Sequence, residues 1–152
     1  MAADALRQVD HTGLKTGQAA TIILLLLGFI LNSPLLVALV AAAQLLGALD
    51  VPFAPYRLLY QRVVKPSGLV KPQVIPDNPE PHRFAMLLGA IMNALATTAL
   101  LAGVSTLAWI LVWIVIVLAN LNFWLNFCAG CMIYYQLNRL GVPGFTYAPL
   151  ER

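Results

Sequence analysis

Two cysteines are the whole thiol complement of this 152-residue chain, and they stand three apart in Cys128-Ala129-Gly130-Cys131. On a helix this spacing puts both sulfurs on one face, close enough to form a disulfide or share a metal ion. The segment from Cys128 to about Leu140 reads as an amphipathic helix, so its first thiol would feel the positive end of the helix dipole, which favours thiolate. Thiolate at either cysteine could attack a disulfide while the other resolves it. The plainer reading is packing, since cysteine is also a small apolar residue. His11 and His82 occupy matching places at the starts of the first and third apolar segments. With the cysteines they would complete a tetrahedral zinc or iron set, or a histidine would serve as proton partner to a thiolate. Asn122 and Asn126 lie one turn apart and lead toward Cys128. Such a polar line could conduct protons or polarise a quinone carbonyl beside the dithiol. Together with Asn93, Thr97, Thr98, Asn120 and Gln44, it could equally serve hydrogen bonding between helices.

The elements that must position these groups follow from composition. The chain is 61% hydrophobic and only 10% charged, with mean hydropathy +0.82, far from a soluble domain in which about a quarter of residues are charged. Four apolar blocks stand out, Leu14 to Leu31, Leu35 to Leu49, Phe84 to Ala102 and Thr106 to Phe127. A crossing needs about 20 residues, so the last two qualify outright and the first qualifies if Lys15 snorkels. The second is short. Asn32-Ser33-Pro34 separates it from the first by a capping residue and a first-turn proline, and Gly103-Val104-Ser105 forms the second tight turn. The expected fold is an all-α integral membrane protein with four transmembrane helices in two tandem hairpins, each followed by a short interfacial amphipathic helix. Trp109, Trp113 and Trp124 are expected to face lipid or the interfacial belt.

The repeat is carried by equal 23-residue offsets from His11 to Pro34 and from His82 to Ser105, and by the match of Phe53 to Tyr60 with Phe127 to Tyr134. The chain therefore divides as one membrane domain: a first hairpin repeat over 10–65, a Pro-rich linker over 66–81, a second repeat over 82–140 and a tail over 141–152. Tyr56 to Lys65 would lie in the headgroups, with Leu59, Tyr60, Val63 and Val64 toward lipid and Arg57, Gln61, Arg62 and Lys65 toward water. Prolines at 66, 72, 76, 79 and 81 favour an extended linker and oppose helix.

All nine cationic residues lie on the side of the termini and linker, and the two tight turns carry none. The positive-inside rule makes that side cytoplasmic, with multi-pass insertion and both termini inside. Asp4 and Asp10 argue against reading Ala41-Ala42-Ala43 as a signal cleavage site. The net charge of +3 and pI near 9.1 fit contact with anionic membrane lipid, leaving nucleic acid unneeded as a partner. No acid lies within an apolar block and no phosphate loop or nucleophilic serine motif is present, which excludes ATP-driven work by this chain and weakens ion-coupled transport.

From Asp10 to about Leu140 the chain resembles a family of small bacterial membrane proteins of unknown function. The likeness rests on the Asp10-led approach, Asp77 to Pro81 with Arg83-Phe84, the tandem hairpins and Phe127-Cys128-Ala129-Gly130-Cys131. His11-Thr12 departs from the proline and basic residue expected there. The resemblance implies association with thioredoxin-like and rhodanese-like proteins, hence thiol or sulfur-transfer chemistry. The function expected is membrane thiol-disulfide or sulfur-linked redox at a cytoplasm-facing Cys128/Cys131 pair. A non-catalytic accessory subunit of a larger respiratory, photosynthetic or transport complex is the alternative, and a carrier of small sulfur species is a third.

Overall fold

The computed structural model describes residues 8–49, 51–68, 70–76 and 79–144. Two long helices, α1 (His11–Ile30) and α2 (Pro34–Ala48), are followed by a short interrupted helical stretch. That stretch comprises α3 (Pro55–Leu59), a π-helical turn (Tyr60–Val64) and α4 (Lys65–Ser67). Then come α5 (Pro79–Leu101), α6 (Ser105–Leu125) and α7 (Ala129–Arg139). Asn32 with φ 49° and Gly103 with φ 86° turn the chain between the members of each long pair.

Helices α1, α5 from Glu80 and α6 are long and apolar enough to cross a membrane. α2 has 15 residues; at about 1.5 Å per residue it falls short of a hydrocarbon core about 30 Å thick. α2 packs along α5, and α6 lies against both α1 and α5. The core where they meet is Leu25 of α1, Val37 and Val40 of α2, Ala96 of α5, and Ala108, Val112, Val115 and Ile116 of α6. Small residues at 96 and 108 let backbones approach, as membrane helices require. Large apolar side chains point outward, Ile30 at 73%, Leu101 at 76% and Trp124 at 72% exposure. An apolar exterior on this scale calls for lipid or protein around it. Trp124 and Trp113 are exposed, as the outward expectation has it, and Trp109 and Trp113 both meet the Phe29 ring edge-on, at 5.2 and 5.4 Å between centroids.

Several local expectations need correction. The linker is neither wholly extended nor free of helix. Pro66 sits within α4, and α5 begins at Pro79, with Pro81 in its first turn. First-turn nitrogens have no intrahelical acceptor, so proline loses nothing there. The fold also contains strands: β1 (Gln8–Asp10) pairs antiparallel with β2 (Val74–Pro76), opposing Val9 to Ile75. Thr12 fastens this ribbon to α1, its hydroxyl donating to the Lys71 carbonyl at 2.9 Å and accepting from the Gln73 N–H at 3.0 Å.

The segment after α2 keeps part of the expected outward face but turns one of its expected members, Tyr60, into the protein. Tyr56 and Tyr60 are buried, while Val63 is 58% exposed. The π turn re-phases the helix, and Gly17 and Gly13 of α1 admit the two rings, since a Cβ at either would stand 3.3 Å from the tyrosine it faces. Arg7 and Arg152, the acids Asp4, Asp50, Asp77 and Glu151, and the tail beyond Gly144 lie outside the described residues.

Candidate functional site

The dithiol is placed by a sharp break between α6 and α7. Asn126, with φ 54°, ends α6, its N–H donating to the Asn122 carbonyl at 3.1 Å. It stands one turn beyond Asn122, at the very end of α6. Cys128 follows in extended conformation as the N-cap of α7, where its sulfur accepts from the Cys131 N–H at 3.2 Å. An N-cap sulfur with a backbone donor and the helix dipole behind it is held in surroundings that favour negative charge. Cys128 and Cys131 are joined as a disulfide, with Cα atoms 5.2 Å apart.

α7 packs down on α5 through contacts that include a close backbone approach and a ring pair. Gly130 abuts Ala85 so closely that a Cβ there would lie 2.6 Å from the Ala85 Cα. This glycine permits close backbone approach between the two helices. Tyr134, 4% exposed, meets Phe84 edge-on at 5.9 Å. The approach brings His82, in the first turn of α5, to Cys131, with Nδ1 3.4 Å from Sγ. Cys131 is buried at 8% exposure, and Cys128 is half-buried.

His11 opens α1 beside His82, their rings edge-on with centroids 5.5 Å apart. Asp10 fixes this helix start, its carboxylate accepting from the Thr12 and Gly13 N–H groups and from the Tyr60 hydroxyl. Burial, then the hydrogen bond to Asp10 and its charge, push the Tyr60 phenol up to about 12. The backbone N–H of His11 donates to the Gln73 carbonyl at 2.9 Å, tying the ribbon to the site.

These groups line an open cleft of about 560 Å³. Both cysteines, both histidines, Asn122 and Asn126 belong to its wall, so the sequence candidates share one space. Lining residues that were not anticipated there include Lys15 and Gln18 of α1, Gln73 of the linker and Arg139 of α7. A signal existed for three of them. His11, Lys15 and Gln18 fall at i, i+4 and i+7, and Cys128, Cys131, Tyr135 and Arg139 recur every three or four residues, so each set marks one helix face. Gln73 carries no such pattern. Among the described residues the lining holds Lys15 and Arg139 and no carboxylate, so the charge they place on the cleft is positive.

The remaining polar residues act within the bundle. Thr97, Thr98 and Asn120 each donate to a carbonyl one turn back on their own helix. Asn93 Nδ2 donates to Gln44 Oε1 at 2.8 Å, joining α5 to α2 in a buried contact. Ligand atoms of His82, Cys128 and Cys131 all lie within 4.8 Å of one another, so after reduction three donors of the kind zinc favours would face one point.

No curated protein and no solved structure matches the chain. A family described as Domain of unknown function (DUF4395) matches residues 9–139, and the chain belongs to that family.

Proposed function

We propose that this protein is a membrane thiol-disulfide oxidoreductase whose Cys128–Cys131 pair exchanges electrons with a thiol partner entering from the cytoplasm. The observation that carries the reading is the conjunction at Cys131: a cleft-facing disulfide with an imidazole nitrogen 3.4 Å from the buried sulfur.

The chemistry is balanced without further reagents. A partner thiolate attacks the more accessible Cys128 sulfur, the S–S bond breaks, and the electron pair leaves on Cys131, which takes a proton from His82. A second partner thiol attacks the mixed disulfide and releases Cys128 as thiolate in its N-cap site. Two partner thiols become a disulfide as the protein becomes a dithiol, and every step can run in reverse. The positive cleft supports an acidic partner. A thioredoxin-like or rhodanese-like protein is the class that the family resemblance suggests.

The same reading places four helices in the bacterial inner membrane as two hairpins, with α2 completing its passage through the flanking turns. Lys15, Arg57, Arg62, Lys65, Lys71, Arg83 and Arg139 would all border the cytoplasm together with the cleft, and both termini would be cytoplasmic.

A second reading is supported by the three clustered donors. The reduced pair and His82 would hold zinc or iron, and His11, outside that cluster but with its ring 5.5 Å from that of His82, would have to move in as the fourth ligand. One experiment separates these. Purified protein is equilibrated across a glutathione or dithiothreitol series, thiols are counted by alkylation mass shift, and metal is measured alongside. A reversible two-electron transition, with Cys131→Ser trapping partner on Cys128, is the expected result. Stoichiometric zinc or iron would transfer the assignment to the metal site. Inert thiols without metal would sink both and favour an accessory subunit.

A further inference from the structure

We propose that the dithiol passes its electron pair to a lipophilic quinone seated in a second cavity, on the membrane side of the cysteines. This rests on the oxidoreductase reading and supplies what that reading leaves open, the oxidant for turnover.

A half-open cavity of about 370 Å³ lies between the helices, lined by residues of α1, α2, α3, α5, α6 and α7. Its volume falls in the range of about 300–1,000 Å³ that accepts small-molecule ligands. The walls are chiefly apolar, with Met86, Met92, Val115 and Leu118 among them. Cys128, His82, Gln18 and Asn122 line both this cavity and the open cleft, whereas Cys131 lines only the cleft. Cys128 thus forms part of the partition between a water-facing and a lipid-facing space.

Uncharged amides supply the polarity that a quinone needs. Gln44 accepts from Asn93 through Oε1, which leaves its Nε2 hydrogens to donate to a ligand carbonyl. Gln18 Oε1 is buried without a hydrogen-bond partner among the described residues. An orphaned buried acceptor is costly unless something donates to it. A hydroquinone hydroxyl does so, and after rotation the same amide donates to a quinone carbonyl. A group serving both redox forms without changing charge suits a low-dielectric site better than a carboxylate or lysine would. An acyl chain would fill the apolar volume but leave both amides unanswered.

The step closes in atoms and electrons. The dithiol loses two electrons and two protons as its S–S bond forms, and the quinone gains both to become the hydroquinone.

The test uses the full chain in phosphatidylcholine nanodiscs, reduced and desalted, with decyl-ubiquinone as probe. Quinone absorbance and alkylation mass shift are followed together, and exchange with oxidised glutathione is measured in parallel. Saturable formation of one hydroquinone per disulfide is expected. Ala119→Phe, which fills the cavity, should lower the ratio of quinone rate to glutathione rate by about tenfold or more. Gln44→Met, which removes the donor, should raise the apparent KM for quinone about tenfold, the worth of one good hydrogen bond, and tests the same point should the first variant not fold. Dithiol that exchanges with glutathione but ignores quinone would overturn this inference and leave the oxidoreductase reading intact. Equal quinone rates in parent and both variants would also overturn it, and failure of both reactions would remove the two together.

Discussion

Replacing Gly130 with alanine should loosen α7 from α5 and open Cys131 to solvent. The added Cβ would stand 2.6 Å from the Ala85 Cα and 3.4 Å from its backbone nitrogen. Carbon atoms pack at about 3.5–4.0 Å, so the two helices must part locally by about 1 Å. The obstacle is backbone, and no rotamer change relieves it. Overpacking of this kind costs about 1–3 kcal/mol, which at about 1.4 kcal/mol per tenfold raises the undocked population between about 5- and 140-fold. Cys131 is 8% exposed when docked, so its alkylation follows that population wherever opening and closing are fast. The assay is the rate of iodoacetamide labelling at Cys131 in a reduced Cys128→Ser background, read by mass in nanodiscs. Gly130→Ala should accelerate labelling by the factor above, and Gln136→Ala, at an exposed position of the cleft rim on the same helix, should not. A Gly130→Ala rate within about twofold of its parent would refute the idea that this backbone contact holds the site closed, because even the low end of the overpacking range exceeds it.

Two further outcomes are expected. His82→Ala should slow reduction of the disulfide by about 100-fold, the lower end of a general acid's contribution, and added imidazole should restore part of the rate. A purely structural role for His82 would show no such rescue in stopped-flow measurements. For Tyr60, the folded state raises the phenol from 10.0 to about 12, so its neutral form stabilises the fold fully below pH 10 and that contribution fades as pH climbs toward 12. Urea unfolding across that window should show the decline, and Tyr60→Phe should remove the part due to this residue.

Much of the helical frame and the position of the dithiol was legible because both depend on local patterns. Unbroken apolar blocks set α1, α5 and α6, and Asn32-Ser33-Pro34 marked the start of α2 through capping and proline geometry. Cys128 fell at a helix start because the apolar block ends just before it. What stayed hidden is non-local. The pairing of Val9 with Ile75 joins segments more than sixty residues apart, and neither three-residue strand has enough alternation to announce itself. The early start of α5 was masked by reading Pro79 and Pro81 as breakers when first-turn positions tolerate them. The approach of Gly130 to Ala85 and the amides of the inner cavity depend on how α7 and α2 meet α5, which no single segment encodes.

The ribbon between Gln8–Asp10 and Val74–Pro76 has a mechanical consequence. Gln73 and Ile75 form part of the cleft wall, and Thr12 pins the same strand. A bulky domain fused ahead of residue 8 would therefore tug on the mouth of the site itself. Gly68 sits at φ 69° with open space around it, outside the strand register, so an affinity tag or fluorescent reporter inserted at that turn would leave the wall slack.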